Sequence, residues 1–303
     1  MDMSAINPAV LVVSLMVAAT PILLAALGEL VVEKAGVLNL GVEGMMIIGA
    51  VSGYVVAVNT GSPWLGFVGA ALGGAALSMV FGLLTQVLLS NQVATGLALT
   101  LFGLGLSSLI GTDYLQLRPP PVDGMRLGAI PGLERLDLVV LFSLALVIAT
   151  ALVLRFSRVG LILRAVGESA EAAHALGYKV IRVRLAAIAF GGACAGLGGA
   201  YLSLIRVPQW TEGMTAGAGW IALAIVVFAS WKPAWVLVGA YLFGGVTVLQ
   251  LNLQAAGVAI PVEYLSMSPY LITILVLVIM SSGRARAALN APADLGKPFH
   301  ASG

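Results

Sequence analysis

The 303-residue chain is 60% hydrophobic and 9% charged, where a soluble globular domain carries roughly 25% charged residues. Its mean hydropathy is +1.06, so it lacks the polar residues to clothe a water-facing surface, and lipid is the surface it can satisfy. A net charge of +2 argues against a nucleic-acid partner and against a strongly acidic one.

In a hydrocarbon core the backbone must bond to itself, which leaves helices or closed barrels. Barrel strands alternate apolar and polar residues; this chain has long unbroken apolar runs, so the expected fold is all-α, a polytopic transmembrane helical bundle. The 37 glycines suit close helix approach in lipid. Met1-Asp2-Met3-Ser4 lacks the basic region of a secretory signal, so the first apolar run is expected to be a retained helix. With about 20 apolar residues per crossing, spans are predicted near 8–28, 36–58, 64–89, 93–112, 138–154, 185–205, 218–231, 234–251 and 267–282. That is about nine spans, within a range of about eight to ten. The second is the least regular. Gly36, Gly41 and Gly44 interrupt it, and Asn39 and Glu43 precede the apolar run that begins at Met45, so a broken or re-entrant helix is predicted there. If that stretch is helical, Asn39 and Glu43 share a face, and a carboxylate in a span is a functional-site candidate.

The segment 113–137 carries Pro119, Pro120 and Pro121, a stiff non-helical run. The loop 155–184 holds Arg155, Arg158, Arg164, Lys179, Arg182 and Arg184 against Glu168 and Glu171, and the tail holds Arg284, Arg286 and Lys297. By the positive-inside rule both are expected to be cytoplasmic. Within the loop, Ser169 is placed to cap a short Ala-rich helix with Glu171 in its first turn and Gly177 as its stop. Residues 1–283 read as one transmembrane domain, and 284–303, rich in Ala, Pro and Gly, as a disordered tail. Cys194 lies in an apolar, Gly-rich stretch and reads as core. The chain has no G-x-x-x-x-G-K-[ST] phosphate loop and no H-E-x-x-H, and its only histidines are His174 and His300.

Four strings resemble the permease subunits of ABC importers, in the branch that moves nucleosides, ribose and related sugars. Arg164-Ala165-Val166-Gly167-Glu168, continued by Glu171, Ala172, Ala173 and Gly177, is similar to that family's coupling loop, with Ala170 where proline is frequent. Glu33-Lys34-Ala35-Gly36-Val37-Leu38-Asn39-Leu40-Gly41-Val42-Glu43-Gly44-Met45 resembles its E-[RK]-A-G-x-x-N-[IL]-G-x-E-G-M signature. Asn91-Gln92-Val93-Ala94-Thr95-Gly96-Leu97-Ala98-Leu99 and Met214-Thr215-Ala216-Gly217-Ala218-Gly219-Trp220-Ile221-Ala222-Leu223-Ala224 are similar to two further stretches.

The resemblance implies a multi-pass subunit of a bacterial plasma (inner) membrane that performs no bond chemistry and needs no cofactor. Its partners would be a cytoplasmic ABC ATPase, a second permease, often a different chain, and an extracytoplasmic solute-binding protein. It places ATPase coupling on Arg164, Gly167, Glu168, Glu171, Ala172, Ala173 and Gly177. The pathway is expected to involve Asn39, Glu43, Asn91, Gln92 and Thr95, where Asn91 also reads as a plain helix cap. Binding-protein docking is expected at Gln209, Trp210 and Glu212, of which the tryptophan also reads as an interfacial anchor. Few charges in the spans suit a neutral polar solute. A stand-alone secondary transporter or channel is the competing reading; it would need no docking helix and would more often bury acids mid-span.

Overall fold

The computed structural model describes residues 8–122, 125, 136–255 and 291–300, with positions 264, 267, 271, 274, 275 and 278 between them. The regular elements among the described residues are helices: α1 Pro8–Lys34, α2 Val42–Thr60, α3 Pro63–Gly82, α4 Gln92–Gly111, α5 Leu138–Phe156, α6 Arg158–Glu168, α7 Ala170–Ala175, α8 Val180–Ala200, α9 Ala218–Phe228 and α10 Pro233–Ala255. α3 runs on into a π turn, Leu83–Val87, and α8 into another, Tyr201–Arg206. Seven of these helices, π turns included, are long and apolar enough to cross a membrane. They correspond to the predicted spans 8–28, 36–58, 64–89, 93–112, 138–154, 185–205 and 234–251. The predicted span 267–282 lies outside the described residues except at single positions, and those are helical.

Helix starts follow local chemistry. Ser62 precedes Pro63 and accepts from the Leu65 amide. Asn91 accepts from the Ala94 amide at 2.9 Å, and Ser157 from Gly160 at 3.0 Å. Asp137 takes both Val139 and Val140 amides at 2.9 Å, while its other oxygen accepts from the Tyr201 hydroxyl at 2.7 Å, which fixes the start of α5 on the π turn of α8.

The most extensive packing joins α1, α2, α3 and α8. Glycines make it possible: a Cβ on Gly49 of α2 would overlap Gly196 of α8, so the two helices touch main chain to main chain. α2 is the most enclosed span, whereas α4, α5 and α10 leave much of their surface outward. That surface is apolar, with Leu101, Leu109, Ile148 and Val238 exposed, as lipid requires.

Two expectations are corrected. The interruption near 36–58 is not a break within a helix: α1 ends at Lys34, residues 35–41 are non-helical with Gly36 at φ +83°, and α2 begins at Val42. The predicted span 218–231 is a half-helix, because α9 has 11 residues and so rises only about 16 Å, roughly half of a ~30 Å core.

Candidate functional site

Three of the four motif strings converge on the connection between α1 and α2. The Asn39 amide and side-chain nitrogen both donate to the Glu29 carboxylate of α1, at 3.3 and 3.5 Å. Its side-chain oxygen accepts from the Gly41 amide at 3.0 Å. Gln92, from the first turn of α4, accepts from the Leu38 amide at 2.8 Å, and the Thr100 hydroxyl donates to Leu40 O. Gly96 lies directly against this connection, since a Cβ there would sit 2.9 Å from the Leu40 and Gly41 nitrogens. Buried backbone without helical bonds needs such partners, and here Glu29 and Gln92 supply them.

Glu43, in the first turn of α2, ties the second string to the fourth. One carboxylate oxygen accepts from the Thr215 hydroxyl and the Gly217 amide (2.9 Å), the other from the Gly219 amide (2.7 Å). These groups stand at the N-terminus of α9, where unpaired amides and the helix dipole favour a negative charge. Gly217 takes a left-handed φ of +82°, and a Cβ on Gly219 would meet Glu43 N and Cα at 2.6 Å. The neighbouring Gly44 packs on Leu99 and Thr100, about 12 Å along α4 from its start, so α9 begins near mid-span. It ends at the other end of that half, where Trp231 Nε1 donates to the Glu33 carboxylate at the end of α1.

The far half of this crossing is therefore the non-helical stretch 207–217. It borders a cavity of about 360 Å³. Pro21 and Ile22 of α1, Arg206, Thr211, Thr215 and Ala218, and Phe243, Thr247 and Gln250 of α10 line it, a mixture of polar and apolar groups. By contrast, a groove of about 520 Å³ among α1, α5, α6 and α8 has Thr150 as its one polar side chain. A third cavity, about 610 Å³, shares Arg206 and Val207 with the first and opens beside Arg118, Pro119, Pro120, Pro121 and Gln209.

The basic loop forms two helices. α6 turns Leu163 and Val166 inward and Arg158, Arg164 and Glu168 outward. α7 is capped by Ser169, which accepts from the Ala172 amide at 3.2 Å, and the chain beyond it turns at Gly177 with φ +88°. Both features were predicted from the sequence. Gly167 lies against the end of α1, with a Cβ there overlapping Lys34 O. Ala170 and Ala173 are buried, whereas Glu171, Ala172, His174, Leu176 and Gly177 are exposed. Within the tail expected to be disordered, residues 291–300 pack on this loop. Asp294 accepts from the Ala170 amide at 2.7 Å, and Phe299 is buried with Val166, Ala170, Ala173 and Val180.

The predicted site residues thus fall into separate places. Asn39 and Glu43 are both buried away from lipid, as expected, but they share no helix face: Asn39 lies in the connection and turns to Glu29, Glu43 to α9. Gln92 is buried on the connection, and Thr95 pairs with the Ser90 hydroxyl at 2.8 Å. Gln209 and Glu212 are exposed, but Trp210 is not: at 1% exposure it packs on Gly111 and Tyr54, the rings 6.4 Å apart. Sequence reasoning missed Glu29, Asp137, Arg184, Asp294 and Phe299. For Glu29 a signal existed, since an acid one turn before the end of an apolar helix needs a partner.

A bundle of close-packed spans with a half-helix at mid-depth, a mixed-polarity cavity beside it and an amphipathic loop at one end is a membrane transport subunit in architecture. The chain belongs to the family described as the branched-chain amino acid transport system permease component, which matches residues 11–280. It is 43% identical over 290 residues to a protein of Haloferax volcanii assigned by name as a glucose ABC transporter permease, covering 86% of this chain and 88% of that one. It is 32% identical over 311 residues to the guanosine ABC transporter permease NupQ of Bacillus subtilis, covering 96% of each. It is also 31% identical over 288 residues to the nucleoside ABC transporter permease NupC of Lactococcus lactis, covering 88% and 91%. No solved structure matches.

Proposed function

We propose that this chain forms one side of the membrane pathway of an ABC importer for a neutral, hydroxyl-bearing solute, a nucleoside in the first instance. The observation that carries the reading is the half-helix α9 with the 360 Å³ cavity at its start. Non-helical backbone at membrane depth is tolerated where it lines a cavity, and discontinuous helices are where transporters hold solutes. Thr211, Thr247 and Gln250 offer uncharged hydrogen-bonding groups beside the Arg206 guanidinium, and Phe243 offers an aromatic face. The relatives named for guanosine and nucleosides support the nucleoside reading, and the 43% relative named for glucose supports a simple sugar as the second.

In this reading Asn39, Glu43, Asn91, Gln92 and Thr95 hold the frame around the pathway rather than touch solute. The loop end is cytoplasmic, and the exposed face of α7, with Glu171, Ala172 and Leu176, meets the ATPase. ATP-driven closure there would shift the spans between two arrangements. A binding protein would dock at the opposite end, near Gln209 and Glu212. The two guanosine permeases of Bacillus subtilis, NupP and NupQ, support pairing with a different permease chain.

The test is uptake by the assembled transporter in proteoliposomes, with labelled guanosine, uridine, glucose and ribose. Thr247→Val and Gln250→Leu should each raise the KM of the transported solute about fivefold, the loss of one hydrogen bond of about 1 kcal/mol. Unchanged KM in both would remove the cavity from the pathway. Cysteines at Glu171 and Ala172 should crosslink to the ATPase. Labelling of them only from the extracytoplasmic side would reverse the topology and end the coupling role.

A further inference from the structure

We infer that residues 291–300 form a clamp that ties the docking helix α7 to the spans, and that coupling of ATP hydrolysis to transport depends on it; this rests on the reading of α7 as the ATPase contact. α7 has six residues, too few to hold a helix by itself, and its inward side chains are two alanines, Ala170 and Ala173. The tail supplies what they lack. Phe299, 7% exposed, fills the space among Val166, Ala170, Ala173 and Val180, and its ring stands edge-on to His174 with centroids 5.4 Å apart. Asp294 works on both sides of the α6–α7 junction: its carboxylate takes the Ala170 amide at 2.7 Å, and its own amide donates to Gly167 O at 3.0 Å.

A few residues on, the same segment grips the membrane domain. The Gly296 amide donates to Gly36 O at 3.1 Å, and Lys297 O accepts from Arg184 Nη1 at 3.1 Å. Arg184 is fully buried at the start of α8, and its other acceptors are Ala35 O and Gln86 Oε1. A buried guanidinium that loses an acceptor is costly, so the tail is also part of what keeps Arg184 in place. The contacts run from α7 through Asp294 and Gly296 to the 35–41 connection. From there Asn39 leads to Glu29, and α2 leads through Glu43 to the half-helix. A displacement of α7 therefore reaches the start of α9 through bonded groups, with the tail as a second link beside the direct contact of Gly167 on Lys34.

The test compares the full chain with Asp294→Ala, Asp294→Asn, Phe299→Ala and a truncation after residue 290. In the detergent-purified permease, amide hydrogen exchange across 167–176 should quicken about tenfold or more in the Ala variants and the truncation, and stay near the parent in Asp294→Asn, since Asn caps as well as Asp. In the assembled transporter the same variants should co-purify with the ATPase and hydrolyse ATP, but move at least about fivefold less solute per ATP, with Asp294→Asn restoring the ratio; a fivefold loss corresponds to about 1 kcal/mol of coupling. Unchanged exchange would overturn the clamp as a structure. Quickened exchange with an unchanged solute-to-ATP ratio would overturn its role in coupling. If Glu171→Cys in the full chain fails to crosslink to the ATPase, the docking reading itself falls and takes that role with it, whatever the exchange data show.

Discussion

Replacing Glu43 by glutamine tests whether its carboxylate caps α9 or serves solute. The geometry sets the expectation. Two donors converge on one oxygen, the Thr215 hydroxyl and the Gly217 amide, and the Gly219 amide takes the other. A glutamine side chain has one oxygen and one NH₂ group, so its better orientation keeps the first pair and turns NH₂ against the Gly219 N–H. One charge-assisted bond is lost and one buried amide is left without an acceptor, a cost of about 1.5–3 kcal/mol. At about 2 °C per kcal/mol for a chain of this size, thermal unfolding of the detergent-purified protein, followed by tryptophan fluorescence, should drop by about 3–6 °C. Glu43→Ala strands all three donors and should fall at least about twice as far. Uptake measured alongside should lose rate in step with folded protein, with KM unchanged. A Glu43→Gln protein that melts with the parent while its KM climbs tenfold would refute the capping argument and hand this carboxylate to the solute.

Gly219→Ala places a methyl 2.6 Å from Glu43 main-chain atoms. With backbone on that side it should cost about 3 kcal/mol or more, read as a loss of folded protein recovered from membranes. Asp137→Ala removes the cap of α5 and its bond from the Tyr201 hydroxyl, a loss of about 2–4 kcal/mol in unfolding free energy; Asp137→Asn should lose less than half of that. Glu168→Arg reverses a charge on the exposed end of α6 and should lower uptake several-fold while the protein inserts and melts as the parent does; normal uptake would remove Glu168 from the coupling surface.

The spans were legible because lipid enforces them: an unbroken apolar run has few alternatives to a helix. The cap at Ser169 and the stop at Gly177 were legible because capping is local chemistry. What misled was distance along the chain. The inference that Asn39 and Glu43 share a face assumed a continuous helix, and the groups that break it, Glu29 and Gln92, lie 10 and 54 residues from their partners. α9 starts where the predicted span 218–231 starts but ends three residues earlier, just before Ser230 and Trp231 take positive φ, while the acceptor that caps its start lies 174 and 176 residues from Gly217 and Gly219. Trp210 carried the same signal as any interfacial tryptophan, and its burial depends on Gly111 making room. The tail has too few apolar residues for a core of its own, which is why it reads as disordered. Two anchors, Asp294 and Phe299, are enough when a surface already exists to receive them.

The glycine contacts among α1, α2, α3 and α8 bear on which parts of the molecule move. A Cβ on Gly28 would meet Gly191, one on Gly49 would meet Gly196, and one on Gly74 would meet Gly192, so these helices meet with no layer of side chains between them. Side chains change rotamer and so let helices slide, whereas apposed main chains have nothing to exchange. These four helices should therefore travel through the transport cycle as a single piece. The stretch 207–217 meets that piece through hydrogen bonds to one carboxylate and through Trp210 on Tyr54 of α2, and the hydrogen bonds can be traded for water. Spin labels on α3 and α8 should hold their separation in every nucleotide state, while a label at Gly213 paired with either should report two distances.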